Sequence, residues 1–336
     1  MIHMQIKNRT IYNNQDHDYY IFTSDIHGNI YTLDLIKQAM HDYPTAQLVG
    51  GGDYIDGRKN SKEVCDFLID QEQNNHAIIL NGNHEELMLN FADENDIYEL
   101  GCEPLWYING GKKTMRSFLG RGYSKPKTAQ MLKQTKYYQF FKNRNIMYVT
   151  PHIIFVHGGI KPVKDFDNLA IYQNIKGNNS YLNLNNYDYY RLWSRENYWY
   201  TLNKAIDQIN MPKPPQKFSI QDNVIYLKQF AHNATNHVIV TGHTPTTFIE
   251  GMFDDNRQMT NVPQSNCIIR VVQYPNEPAR IFTDGGCHSR LPYNYGNVTV
   301  LDKFGNIVKV YDYKHSIGIN WHDYIEINKQ KKIFGK

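Results

Sequence analysis

The sequence predicts an α/β layered fold. Short apolar runs alternate with helix-patterned stretches through the first half of the chain, and the runs end in polar, glycine-bearing clusters. With 336 residues, against about 150 per domain, the chain allows one large domain or two ordinary ones. Hydrophobic residues at 41% and charged residues at 21% suit a globular protein and exclude collagen-like, coiled-coil and disordered chains.

The elements follow in order. YYIFTS (Tyr19 to Ser24) reads as a buried strand, and Ile30, Leu33, Leu35, Ile36 and Met40 then recur at helical spacing before Pro44 stops the pattern. QLVGG (Gln47 to Gly51) is strand-like, SKEVCDFLIDQ from Ser61 is a capped amphipathic helix, and HAIIL (His76 to Leu80) is a third strand. A further helix is expected to start near Glu85. IIFV (Ile153 to Val156), HVIV (His237 to Val240) and RIFT (Arg280 to Thr283) continue the strands, and VTVLD with IVKVYD forms a hairpin turning through Lys303 to Asn306. No repeat or low-complexity linker interrupts the chain, so a single domain over residues 1–336 is expected. Its core runs from about 19 to 312, with aromatic-rich lid insertions at about 95–145 and 163–235 and a polar tail at about 313–336.

Composition narrows the function. A net charge of +3 is too small to announce a nucleic-acid or membrane surface, and no apolar run approaches the roughly 18 residues of a membrane span. The four cysteines, Cys65, Cys102, Cys267 and Cys287, are scattered and form no CxxC pair, which argues against a disulfide framework or zinc ribbon and fits a reducing compartment. The first twenty residues lack the basic and apolar regions of a secretory signal, so a cytoplasmic location is expected. The 14 histidines invite a search for metal or acid-base chemistry.

That search finds one chemistry repeated at the strand ends. The clusters are Ser24-Asp25-Ile26-His27-Gly28-Asn29, Gly52-Asp53-Tyr54-Ile55-Asp56-Gly57-Arg58, Asn81-Gly82-Asn83-His84-Glu85-Glu86, Val156-His157-Gly158-Gly159 and Thr241-Gly242-His243-Thr244-Pro245. Taken singly, each would pass for a helix cap or a turn. In an α/β sheet, however, the carboxyl ends of the strands line one crevice, where these clusters would converge. Carboxylate and amide oxygens mixed with imidazoles suit two adjacent divalent ions, manganese first, with iron or zinc as alternatives.

The series SDIHGN, GGDYIDG, GNHEE, VHGG and GHTP is similar to the signature of the calcineurin-like metallophosphoesterases, in the branch of the serine/threonine protein phosphatases and bacterial symmetrical dinucleoside tetraphosphatases. WYINGGKKTMRSF (Trp106 to Phe118), LWSREN (Leu192 to Asn197) and IFTDGGC (Ile281 to Cys287) resemble further blocks of bacterial members. The resemblance implies a sandwich of two mixed sheets flanked by helices. It implies one ion on Asp25, His27 and Asp53 and a second on Asp53, Asn83, His157 and His243, with Asp53 as the bridge. It also implies His84 as the general acid with Asp56 as its partner carboxylate, and hydrolysis of phosphate esters by a hydroxide bridging the ions.

One departure stands out. Family members that act on proteins read Asp-Arg-Gly where this chain reads Asp56-Gly57-Arg58, so Arg58 is a weaker phosphate clamp than its counterpart, and Arg195 is the better second phosphate contact beside Asn83. His288 lies near the last block and receives no role. The activity expected first is that of a serine/threonine phosphoprotein phosphatase. Cleavage of a dinucleoside tetraphosphate is the alternative, with a nuclease or a non-catalytic binding protein behind it. The substrate expected is thus a phosphorylated protein or a small phosphorylated or nucleotide compound, with no membrane partner and with nucleic acid behind both.

Overall fold

The structure, a computed structural model, describes residues 4–7, 9–93, 103–160, 186–193, 237–246, 268–272, 279–288 and 295–330. Two mixed sheets face each other. One has six strands in the order β13 (Ile319–Asn320), β12 (Ile307–Tyr311), β11 (Val298–Asp302), β3 (Tyr19–Thr23), β4 (Gln47–Gly50) and β5 (Ala77–Ile79). β3, β4 and β5 run parallel, and β11 joins β3 antiparallel. The other sheet orders β1 (Met4–Lys7), β2 (Thr10–Asn13), β6 (Met147–Val149), β7 (Ile153–Val156), β8 (Val238–Thr241), β10 (Arg280–Phe282) and β9 (Arg270–Val272), with β7, β8 and β10 parallel.

The period-2 alternation of β3 separates the two cores. Tyr20 and Phe22 point between the sheets, where Phe22 stacks on Phe155 at 5.5 Å between ring centroids, while Ile21 points to the helices. On that helical side, α1 (Tyr31–Asp42), α2 (Ser61–Gln73) and α3 (Asn83–Ala92) cover the six-stranded sheet. Residues 103–145 add α4 (Leu105–Ile108), α5 (Gly111–Leu119), α6 (Lys125–Lys133) and α7 (Lys136–Phe141). Their aromatic residues Trp106, Tyr107, Tyr137 and Tyr138 are buried in this same core. Within the second stretch of 163–235, only α8 (Asn186–Trp193) belongs to the described residues.

The C-terminal region departs from the sequence reading. Residues 319–330, assigned there to a polar tail, form β13 and α9 (Trp321–Gln330). Their apolar side chains have a place to go: Ile319 and Trp321 pack on the inter-sheet core, and Tyr324 is 1% exposed with its hydroxyl oxygen accepting the Ile268 N–H at 3.0 Å. The strands β1, β2, β6, β9 and β13, not anticipated as elements, have only two to four residues each, too few to show a pattern. Among the described residues, no helix is long and apolar enough to cross a membrane.

Candidate dinuclear metal centre

Strand ends from both sheets build one site. Asp25 and His27 follow β3, Asp53 and Asp56 follow β4, and Asn83 and His84 open α3 directly after β5, two residues earlier than the sequence suggested. His157 and His243 arrive from the facing sheet, after β7 and β8. Main-chain bonds zip the first two loops together: Asp25 N–H to Gly52 O at 2.9 Å, His27 N–H to Asp53 O at 3.0 Å and Gly28 N–H to Tyr54 O at 2.8 Å.

The loops adopt backbone conformations that non-glycine residues avoid. Asp25, His27, Asp53, Asp56 and His243 have φ of 52°, 48°, 58°, 69° and 61°. Such left-handed residues cost on the order of 1 kcal/mol or more each and concentrate where a site demands a particular side-chain direction. Close approach also requires glycine at two places. A Cβ on Gly82 would lie 2.2 Å from Asp53 Oδ1, and one on Gly242 would lie 2.0 Å from Asp25 Oδ2.

Asp53 stands at the centre. Its Oδ2 lies 3.3 Å from His157 Nε2, 3.6 Å from His27 Nε2 and 3.8 Å from His84 Nε2. One ligand atom each from Asp25, His27 and Asp53 fall within 4.8 Å of one another, and so do those of Asp53, His157 and His243, all of them buried. Asn83 Oδ1 sits 2.8 Å from His157 Nε2. The His27 and His157 rings direct Nδ1 at the carbonyl oxygens of Ile55 and Gly51, both at 2.8 Å. A carbonyl only accepts, so Nδ1 carries the proton and Nε2 presents its lone pair to the centre, as a metal-ligating histidine does.

The electrostatics also call for cations. Burial, then the neighbouring Asp284, pushes the Asp25 carboxyl well above its ordinary range. Asp53 is held well below it, because His157 and His84 outweigh the burial. Burial alone would lower His157, but Asp53 and Asp25 lift it to about 9. Two buried carboxylates, facing imidazoles that exchange a proton for a cation, are a fit for divalent ions with mixed oxygen and nitrogen donors.

Beside this centre, His84 Nδ1 is 2.8 Å from Asp56 Oδ2. Thr114 Oγ1 donates to Asp56 Oδ1 at 2.6 Å, and Trp106 Nε1 reaches both carboxylate oxygens at 3.2 Å. Burial opposes the charge on His84, but Asp53 and Asp56 raise its imidazole to about 9, and its free Nε2 faces the Asp53 side of the site. Trp106 and Thr114 explain why the Trp106 to Phe118 stretch matters: α4 and α5 fix the carboxylate that fixes His84.

Glu85 was missed by sequence reasoning. It is fully buried and accepts the N–H groups of Asp53, Tyr54 and Gly82, each at 2.8 Å, tying the β4 loop to the start of α3. A signal existed, since a Glu three residues after the N-cap Gly82 is the capping-box position. Arg58 is partly buried, and its N–H bonds to His27 O at 2.9 Å. Arg195 lies outside the described residues. The adjoining Trp193 meets the His243 ring edge-on at 5.8 Å, so α8 does approach the site.

The sequence model of the calcineurin-like phosphoesterases matches residues 20–283. The chain belongs to the calcineurin-like phosphoesterase family. Members of this family hydrolyse phosphate esters with two metal ions, the number that the two ligand groups sharing Asp53 provide for. No curated protein sequence matches this phosphoesterase. Among solved structures it is similar to a cold-active protein-tyrosine phosphatase of a psychrophilic Shewanella species, at 18% identity and a TM-score of 0.46, covering 94% of this chain and 83% of that one. It is also similar to a putative diadenosine tetraphosphatase, at 16% identity and a TM-score of 0.44, covering 90% and 97%. A serine/threonine phosphatase from Saccharomyces cerevisiae follows at 14% identity and a TM-score of 0.43, covering 89% and 80%.

Proposed function

We propose that this phosphoesterase is a phosphomonoesterase of the serine/threonine phosphoprotein phosphatase type, working in the cytoplasm with manganese. The observation that carries the reading is Asp53 between two ligand groups, with the His84–Asp56 pair facing the same carboxylate. Asp25, His27 and Asp53 would hold one ion; Asp53, Asn83, His157 and His243 would hold the other. When bound, two divalent ions lower the pKa of the attacking water and absorb charge on the phosphoryl oxygens.

The chain supplies the remaining work. His84 donates the Nε2 proton to the leaving oxygen while Asp56 keeps Nδ1–H in place and stabilises the imidazolium. Asp56 cannot swing away, because Thr114 and Trp106 hold it from the far side. Arg58, Arg195 and Asn83 contact the phosphoryl group. Symmetrical dinucleoside tetraphosphate cleavage is the alternative. It would use an aromatic surface for the base; among the described residues of the first insertion, the rings at Trp106, Tyr107, Tyr137 and Tyr138 are committed to the core instead. Scattered cysteines, with Cys65 and Cys287 free and buried, support the cytoplasmic placement.

The test offers manganese-loaded enzyme a phosphoserine peptide, diadenosine tetraphosphate and p-nitrophenyl phosphate, with Asp53→Asn as control. Hydrolysis of the peptide in preference to the dinucleotide is expected. Preference for the dinucleotide reverses the order, and inactivity on all three refutes the proposal.

A further inference from the structure

A third group of histidines adjoins the centre. The rings of His27, His84 and His288 form a triangle with centroids 4.7, 4.7 and 4.9 Å apart, and one nitrogen of each lies within 4.8 Å of the other two. Each ring is anchored through one nitrogen: His27 Nδ1 on Ile55 O at 2.8 Å, His84 Nδ1 on Asp56 at 2.8 Å and His288 Nε2 on Asn109 O at 3.1 Å. Each anchor leaves the remaining nitrogen as the one able to take an ion, His84 by giving up its Nε2 proton, and such anchors are what orient metal-binding imidazoles.

The backbone around the triangle is built for closeness. A Cβ on Gly57, whose φ is +72°, would lie 3.2 Å from His27 Cβ and 3.3 Å from His288 Cα. One on Gly110, whose φ is +100°, would lie 3.0 Å from Gly57 N and 3.5 Å from His288 Nε2. Glycine at both positions lets three loops meet. His288 is also the exposed member, which opens a route from solvent.

We propose that His27, His84 and His288 form a zinc-selective inhibitory site. Three imidazole nitrogens with an open fourth position match tetrahedral zinc, whereas manganese prefers the carboxylate-bearing groups around Asp53. An ion held by the triangle occupies His84, the proton donor, and draws His27 from the first ion. Zinc therefore inhibits, and excess manganese relieves the inhibition. The inference rests on the two-ion reading above.

The experiment titrates zinc calorimetrically into the manganese-loaded full-length enzyme, wild type and His288→Gln. Glutamine keeps an N–H for the Asn109 carbonyl but offers no nitrogen lone pair. The wild type is expected to show a zinc-binding event that weakens by about tenfold or more in His288→Gln, with zinc inhibition shifting by the same factor. The manganese isotherm, which tests the two-ion reading separately, stays the same in both. Zinc binding indifferent to His288, beside two intact manganese sites, overturns the inhibitory site alone. Cobalt added to the manganese-loaded wild type gives a check without any variant: intense tetrahedral-type visible bands support the site, and weak octahedral bands alone overturn it.

Discussion

Replacing Glu85 by glutamine tests whether the geometry of the centre is imposed from behind. Burial, and the charge of Asp53 beside it, push the Glu85 carboxyl up to about 7, and its two oxygens accept four N–H groups, those of Asp53, Tyr54 and Gly82 at 2.8 Å and that of Ile55 at 3.4 Å. Glutamine keeps one acceptor oxygen. Placed where Oε2 sits, that oxygen can retain the Asp53 and Gly82 bonds, but its NH2 then confronts the Tyr54 N–H, leaving a buried donor facing a donor. An unsatisfied buried group together with a lost charge-assisted bond costs about 2 to 4 kcal/mol. Asp53 would shift with its loop, and a displacement approaching 1 Å costs on the order of a hundredfold in rate. Denaturant unfolding at pH 8 and manganese-dependent turnover of p-nitrophenyl phosphate measure both effects. A Glu85→Gln protein within about 0.5 kcal/mol of wild type, binding manganese equally well, would refute the reasoning.

Other outcomes follow from the same structure. His84→Ala should slow hydrolysis of an alkyl phosphate by about 10² to 10⁴, and that of p-nitrophenyl phosphate much less, because nitrophenolate leaves without a proton; equal losses on both would exclude His84 as the acid. Tyr324→Ala removes a ring 1% exposed and the acceptor for Ile268 N–H, so unfolding free energy should fall by about 3 to 5 kcal/mol; no change would mean that α9 does not pack as described. Asp42 binds Lys309 Nζ at 2.7 Å and the Tyr311 hydroxyl at 2.8 Å, and these partners hold its carboxyl far below the usual range. A depressed carboxylate stabilises above its unfolded pKa of about 3.9 and loses that effect as pH falls. Wild type should therefore exceed Asp42→Asn by about 1 kcal/mol at pH 7 and by progressively less below about pH 4; a gap constant with pH in urea unfolding would contradict this.

Much of the fold was legible because its central strands are buried on both faces. Tyr20 to Phe22 and Ile153 to Val156 stand out as continuous apolar runs, and their polar ends mark the site. What the runs conceal is which sheet each joins: the ends of β3, β4 and β5 meet those of β7 and β8 across a sandwich. The positive φ values at Asp25, His27 and Asp53 were equally hidden, since the left-handed region is uncommon even for Asp and His, which enter it more readily than most non-glycine residues. Trp106 and Thr114 act on the site through the Asp56 carboxylate, 50 and 58 residues away, and Glu85 reaches Asp53 across 32, contacts that spacing in the sequence cannot show even where it marks Glu85 as a cap. Tyr324 was obscured by its polar neighbours in α9, since a short helix needs few apolar residues to dock.

The central claim is that Asp53 bridges two ions. An anomalous-difference map from crystals grown with manganese tests it directly. Two peaks are predicted, one among Asp25, His27 and Asp53 and the other among Asp53, Asn83, His157 and His243, both in contact with the Asp53 carboxylate. A single peak, no peak, or an ion held away from Asp53 would contradict the account.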